Sequence, residues 1–225
     1  MIDFHSHILP GMDDGSCSAE QSRLMLQMMA AQGVDTVVAT PHYYRLDNTA
    51  KEFCARRREA LDALRDVLAE EGMPALRLGA EVAYFSGISD CEGLRLLRIE
   101  GTRTLLLEMP FRPWNDAIVG DVLALTEHYT VVLAHIERYW FMQPGKIRRA
   151  ILHSACRLQV NAMGLCIWPI SAMERRCLKK GIVQVIGSDC HGHKFRPPCV
   201  GRAWKRLDEE TRRTVDMEMR KLLEE

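Results

Sequence analysis

Five of the eight histidines fall in a pattern that can do chemistry. His5 and His7 form a His-x-His pair at the end of the first short apolar run, Ile2–His5, and alternate residues of a strand point to one face. His42 follows a β-branched run, in Thr40-Pro-His42. His135 ends the run Val131–Ala134, and His191 follows Ile182–Gly187, in Ser188-Asp-Cys-His191. Carboxylates hold equivalent places: Glu81 ends Leu76–Val82, Glu108 ends Thr104–Glu108, Asp189 stands beside His191, and Asp13 and Asp14 lie after the first run. Imidazole with carboxylate, and no converging thiolates, is a donor set for Zn²⁺, Mn²⁺ or Fe²⁺ rather than for a structural cysteine site. Nine donors, or ten with both aspartates, exceed one tetrahedral shell. Bridged by a carboxylate they can fill two or three metal positions, an arrangement suited to phosphate-ester hydrolysis. A single His or Glu at a strand end is usually structural or solvated; the conjunction at successive strand ends carries the argument. Between Asp13 and Asp14 composition cannot choose, and Asp-Asp-Gly is also a common turn.

The elements that would position these donors alternate along the chain. After Ile2–His5, Ser18-Ala-Glu-Gln21 has the form of a capping box opening a helix to about Gln32, closed by Gly33. Val34–Thr40 reads as a buried strand. A helix over 48–71 follows, with Cys54, Leu61, Leu64 and Leu68 on one stripe; Arg57 interrupts it and predicts a less buried N-terminal half. Leu76–Val82 and Thr104–Glu108 read as strands, with loop and a short helix over 83–102. Helices are expected from Pro113 to about Tyr129, over Lys146–Cys156, Ser171–Lys180 and Arg202–Glu224. Strands are expected at Val131–Ala134, Leu158–Asn161 and Ile182–Gly187. Seven β-α repeats predict a parallel sheet closed or nearly closed into a barrel, as one domain over residues 1–225. An open doubly wound sheet is disfavoured because no glycine-rich phosphate fingerprint follows the first strand. In a parallel barrel all strand C-termini open onto one face, so distant residues converge in one cleft. His128 and His153 fall on predicted helices and read as structural; His193, in a loop near the cleft, stays unassigned.

Composition narrows the setting. Thirty Lys and Arg balance thirty Asp and Glu, which argues against a nucleic-acid or other polyanion binder. Hydrophobic residues at 47% and charged residues at 27% describe a soluble domain with a core. No signal-peptide pattern is visible, and no apolar run nears the ~18 residues that would span a bilayer. The eight cysteines are scattered without a C-x-x-C pair. These features predict a cytoplasmic protein with reduced thiols and no membrane insertion.

Together, the motifs Met1-Ile-Asp-Phe-His-Ser-His7, Asp13-Asp-Gly15, Val38-Ala-Thr-Pro-His42, Gly79-Ala-Glu81, Leu106-Leu-Glu-Met-Pro110, Ala134-His-Ile-Glu-Arg138 and Gly187-Ser-Asp-Cys-His191 with Arg196-Pro-Pro198 resemble the PHP (polymerase and histidinol phosphatase) superfamily. Within it the sequence is most similar to the bacterial manganese-dependent protein-tyrosine phosphatases of the CpsB/YwqE type, linked to capsular and exopolysaccharide synthesis. The resemblance runs in order over about residues 1–207. It implies a distorted seven-stranded parallel β/α barrel, a TIM-like barrel of PHP type. It implies three divalent metal ions, Mn²⁺ by preference with Fe or Zn possible. By position, His5, His7, Glu81 and Asp189 would hold one ion. Glu81 would bridge to a second, held also by Glu108 and His135. Asp14, His42 and His191 would hold the third, which selects Asp14 over Asp13.

The resemblance further implies that Arg138 and Arg196 bind the phosphoryl group, since a guanidinium fork matches phosphate oxygens. A metal-bridging hydroxide would then attack phosphotyrosine in line and expel the phenolate, without a covalent phosphoenzyme. The implied partner is a tyrosine-phosphorylated protein, by analogy an autophosphorylating bacterial tyrosine kinase controlling polysaccharide export. Three departures stand out: Ile136 where the family usually has Pro, Tyr43 where a second His is common, and the stretch Gly164–Pro169. They touch substrate choice more than metal binding. Alternatives are a small-molecule phosphatase on the same barrel, such as one for histidinol phosphate, and an inactive phosphoprotein binder. Cys190 to Arg196 also fits the C-x5-R signature of thiolate phosphatases, but so does Cys17 to Arg23, as chance allows. The run Arg56-Arg57-Arg58 reads as a solvated helix face. Phe111, Trp114, Tyr139, Trp140 and Phe141 lie near the expected cleft, where loop packing is their first reading and contact with a substrate ring the second.

Overall fold

The computed structural model describes residues 1–224. Its strands are β1 (Ile2–Ser6), β2 (Thr36–Ala39), β3 (His42–Tyr43), β4 (Ala75–Leu78), β5 (Glu81–Ala83), β6 (Thr104–Glu108), β7 (Thr130–Leu133), β8 (Arg157–Asn161) and β9 (Val185–Gly187). Every pairing is parallel. One sheet runs β1-β2-β4 and the other β3-β5-β6-β7-β8-β9, and together they curl into a half-barrel. β1 is buried along its whole length, as expected where both faces of a parallel sheet are covered.

Two of the seven expected runs are interrupted. Val34–Thr40 stops before Pro41, which has no N–H for the ladder, and the chain resumes as β3. Leu76–Val82 breaks at Gly79-Ala80, giving β4 and β5. The breaks lie side by side: β2 pairs with β4, and His42 is in register with Glu81. At the other side, β1 meets the segment after β9. Asp189 N–H donates to His5 O at 2.8 Å, and His7 N–H donates to Cys190 O at 3.0 Å. Asp3 Oδ1 accepts from Ser188 N–H at 2.7 Å. Gly187 permits this approach, because a Cβ there would stand 2.4 Å from the Cβ of His5.

The helices are α1 (Ala19–Ala31), α2 (Ala50–Asp62), α3 (Arg65–Leu68), α4 (Asp116–Leu125), α5 (Gly145–Leu152), α6 (Ile170–Lys179), α7 (Val200–Trp204) and α8 (Glu209–Leu222). The capping box expected at α1 is half formed: Ser18 accepts from Gln21 N–H, but Gln21 Oε1 accepts from Cys17 N–H instead of returning to Ser18. A complete box opens α2, between Thr49 and Glu52. The single helix expected over 48–71 is divided around Ala63-Leu64. The final helix is likewise divided, because Asp208 caps a new helix by accepting from Thr211 N–H. Segment 83–102 holds two 3₁₀ turns, Ile88–Asp90 and Glu92–Leu96, and no α-helix.

The reading of Arg57 reverses. It is 3% exposed, on the better buried half of α2 with Ala50, Phe53 and Ala60. Its guanidinium donates to Gly79 O at 2.6 Å, at the break between β4 and β5. Arg56 donates to Met12 O and Arg58 to Glu100, so the basic run is engaged in the fold. Arg57→Ala should lower stability by about 2 kcal/mol, the worth of a charge-assisted hydrogen bond with its acceptor left buried. A lower urea midpoint at unchanged slope is the expected readout.

Candidate metal centre

The breaks in the strands aim the donors. His42 opens β3 and Glu81 opens β5, each directly after an interruption; the expectation that Glu81 ends its strand is corrected accordingly. His5 lies in β1 with His7 just beyond, Glu108 ends β6, His135 follows β7, and Asp189 and His191 follow β9. All nine expected donors converge. Three sets have ligand atoms within 4.8 Å of one another: His7 with Asp14, His42 and His191; His5 with His7 and Glu81; and His42 with Glu81 and Glu108. Glu81 is the hub. Its Oε1 lies 2.7 Å from His135 Nε2, and its Oε2 lies 3.2, 3.3 and 3.0 Å from His5 Nε2, His7 Nε2 and His42 Nδ1.

Hydrogen bonds on the outer side of the rings determine what the inner nitrogens present. Gln159 Oε1 accepts from His135 N–H at 2.7 Å and faces His5 Nδ1 at 3.2 Å, so His5 Nδ1 must donate. Asp13 Oδ2 faces His7 Nδ1 at 2.7 Å, and a carboxylate only accepts. His191 Nδ1 donates to Asp189 O at 3.0 Å. Tyr139 O–H donates to Ala134 O, so its oxygen accepts from His135 Nδ1 at 3.1 Å. In their neutral form, four imidazoles held this way turn a lone pair inward, towards carboxylate oxygens and one another. His5 Nε2 and His7 Nε2 stand only 3.1 Å apart. Glu81 Oε2 and His42 Nδ1, though 3.0 Å apart, and His191 Nε2 are buried without a well-aligned hydrogen bond. Such a cage favours positive charge at its centre, as protons on the imidazoles or as a metal ion, and outer-side orientation of this kind is typical of metal-ligating histidines.

Titration behaviour follows the same field. Burial pushes Glu81 up, yet the charge of His5 and the close approach of His135, His42 and His5 hold it well below the usual carboxylate range. Burial pushes His7 down, but bonds to Asp13, Asp189 and Glu81 hold it well above the ordinary imidazole value. His191 is lowered to about 4, by burial and then by the charges of His7 and Arg196.

Asp13 and Asp14 separate clearly. Asp13 is an anchor behind the donors, accepting from His7, His42 N–H and Gly15 N–H. Burial raises it, but the His7 bond and charge and the two backbone bonds outweigh this and bring it to about 2. Asp14 reaches out instead, with Oδ1 3.3 Å from His191 Nε2 and 3.7 Å from His42 Nε2.

Arg138 and Arg196 reach the same spot from different loops, as expected. Arg138 Nη2 donates to Asp189 Oδ2, and Arg196 Nη2 forms an ion pair with the same oxygen at 2.6 Å. Asn161 donates to that oxygen as well, at 2.8 Å. Both arginines are about one-third exposed, so they border the cleft rather than line the core. Among the described residues, the three non-glycine positions with positive φ are His135, Asp189 and Arg196, all in this site. Such strain persists where the surroundings impose it and is common at functional sites.

Several contributors escaped the sequence reading. Gln159 and Asn161 alternate with Leu158 and Val160 along β8, and two amides on one face of a buried strand are the signal that could have found them. Tyr139 is buried against His135, with Trp114 5.4 Å away, so neither ring is free to meet a substrate. Phe111 is exposed and borders a groove of about 330 Å³ with Tyr84, Glu108, Met109 and Arg138. His128 and His153 lie outside the site; His153 Nδ1 donates to Arg149 O on its own helix. Cys190 is fully buried, and burial followed by the charge of Asp3 pushes its thiol well above the ordinary value, the opposite of what an attacking thiolate needs.

Fold and site thus define a parallel β/α protein with a His/carboxylate cleft at its strand ends and two guanidinium groups on the rim. Residues 1–223 match the model of the family described as capsular polysaccharide synthesis, CpsB/CapC, and the chain belongs to that family. It is 28% identical over 205 residues to the tyrosine-protein phosphatase YwqE of Bacillus subtilis, covering 87% of this chain and 79% of the relative. It is 28% identical over 221 residues to the tyrosine-protein phosphatase CpsB of Streptococcus pneumoniae, covering 91% and 88%. The fold superposes with a TM-score of 0.83 at 24% identity on a structure described as YwqE and CpsB, unique metal-dependent tyrosine phosphatases, covering 99% of this chain and 94% of the other.

Proposed function

We propose that this chain is a divalent-metal-dependent protein-tyrosine phosphatase acting on a tyrosine-phosphorylated protein, by analogy a bacterial tyrosine kinase tied to polysaccharide export. The observation that carries the reading is the inward cage of imidazole lone pairs and carboxylates closed by two arginines on Asp189. We assign His5, His7, Glu81 and Asp189 to one ion, Glu81, Glu108 and His135 to a second, and Asp14, His42 and His191 to a third. The donor set suits Mn²⁺, and also Fe²⁺ or Zn²⁺. In this reading the seven strand segments, counting β2 with β3 and β4 with β5, act as one distorted barrel and the chain as one domain. The eight cysteines are all free, which suits a reducing compartment such as the cytoplasm. Among the described residues no helix is long and apolar enough to cross a membrane.

Bound ions would supply an acidified water and positive charge at the phosphoryl group. The protein does the rest. Arg138 and Arg196 turn their guanidinium forks from Asp189 towards the non-bridging phosphate oxygens and hold the developing charge. Gln159, Asp13 and Tyr139 keep His5, His7 and His135 in their working orientation. The groove beside Arg138 gives a phenyl ring room next to Phe111. A phenolate, with solution pKa near 10, leaves with less help from an acid than an alkoxide does.

Exhaustive chelation should abolish hydrolysis of a phosphotyrosine peptide, and Mn²⁺ should restore it. Activity that survives chelation sinks the reading, and faster turnover of histidinol phosphate than of the peptide moves it to a small-molecule phosphatase.

A further inference from the structure

A second pocket lies behind the Arg138 turn, between that turn, β8 and α6. Its walls are apolar, from Ile136, Leu158, Val160, Met173 and Ile182, and its volume is about 100 Å³. That is roughly three waters' worth of space, enough for one slender side chain. Phe141, Met173 and Ile182 are exposed at its edge, so it opens to solvent. Two carboxylates sit in this apolar wall, Glu137 and Glu174.

Glu174 is out of place as a structural residue. It occupies the buried stripe of α6 with Ser171 and Leu178, where an apolar side chain belongs. It is 2% exposed, and neither carboxylate oxygen has a hydrogen-bond partner. Gly164 packs directly on it: a Cβ there would stand 2.4 Å from Glu174 Oε1. Glu137 Oε1 accepts from Asn161 N–H at 3.2 Å, while its Oε2 has no partner. Burial, and then the charge of Glu137, push Glu174 up to about 8. Burying an unpaired acid costs stability. A complementary occupant has an aliphatic stem for the apolar wall and a cationic head for the two carboxylates.

We propose that this pocket receives an arginine or lysine side chain of the phosphoprotein substrate, a docking role that rests on the phosphatase reading given above. The location suits it: Glu137 adjoins Arg138, and Asn161, bonded to Glu137 through its N–H, donates its side chain to Asp189. An occupied pocket therefore abuts the phosphate-binding arginine.

Butylguanidinium, a mimic of the arginine side chain, is the first probe, followed by methyl NMR of Met173 and Ile182 in the metal-loaded protein. Saturable shifts are expected, with affinity about tenfold weaker in Glu174→Gln, the loss of one charge-assisted contact. No binding, equal binding by Glu174→Gln, or equal binding of neutral butylurea overturns the site. Glu174→Met serves as a folding control; it should raise the urea midpoint and still lose the probe. The second measurement compares phosphotyrosine peptides with and without one arginine. Wild type should show a KM about tenfold lower for the arginine peptide, and Glu174→Gln should show no difference. Equal KM values in wild type overturn the substrate assignment. If neither peptide is hydrolysed, the phosphatase reading fails instead, and the NMR titration alone decides the pocket.

Discussion

Glu81→Gln is expected to abolish turnover while leaving the fold in place. Both carboxylate oxygens are enclosed by imidazoles: Oε1 bonds to His135 at 2.7 Å, and Oε2 lies within 3.3 Å of His5, His7 and His42. An amide keeps the volume but replaces one acceptor with a donor and removes the charge that balances any cation in the cage. If Glu81 joins two metal positions, its loss removes several kcal/mol of transition-state stabilisation, or at least about 10³-fold in kcat. Metal content measured by mass spectrometry should fall in parallel. Near-UV circular dichroism should remain close to wild type, because the surrounding apolar core is untouched. Turnover within about tenfold of wild type would rule out a bridging role for Glu81.

The second large effect is expected at the arginine pair. Arg138→Ala and Arg196→Ala should each lower kcat/KM for a phosphotyrosine peptide by about 10² to 10³-fold, the usual loss when one preorganised donor to developing charge is removed. Lysine should not restore activity at either position, because an ammonium lacks the planar fork. Since both guanidinium groups share Asp189 Oδ2, the double variant should lose less than the product of the single losses, a coupling that a double-mutant cycle reads directly. Inorganic phosphate should weaken as an inhibitor in step. If the losses are matched by loss of bound metal, the arginines are holding Asp189 in place rather than holding phosphate.

The legible part of this molecule was the part written in residue type. The His-x-His pair, the carboxylates after apolar runs and the β-α rhythm put eight donors on one face, with Asp13 or Asp14 beside them, because a parallel arrangement leaves little choice about where strand ends go. What escaped depends on contacts between distant segments. Arg57 looked like an interruption of an apolar stripe because its partner, the carbonyl of Gly79, belongs to a strand break that no local pattern announces. Asp13 and Asp14 are adjacent and chemically identical, so residue type could not separate them and only the family resemblance selected Asp14; the turn at Gly15 sends one behind His7 and the other towards His42 and His191. Gln159 and Asn161 were passed over because β8 was read for its apolar face alone, while its polar face supports the site.

The hydrogen bonds between β1 and the segment after β9 have a consequence for how activity arises during synthesis. Asp3 and Ser188 are 185 positions apart, and His5, His7, Asp189 and His191 straddle that junction. Contacts of such long range cannot form until both ends of the chain are present, and they carry a loop-closure cost. On the proposed assignment, a nascent chain that has not yet brought β9 to β1 has histidines but no cage to gather metal. The enzyme is therefore silent until nearly all of it has emerged from the ribosome, and a chain cut short before Asp189 is expected to be catalytically inert.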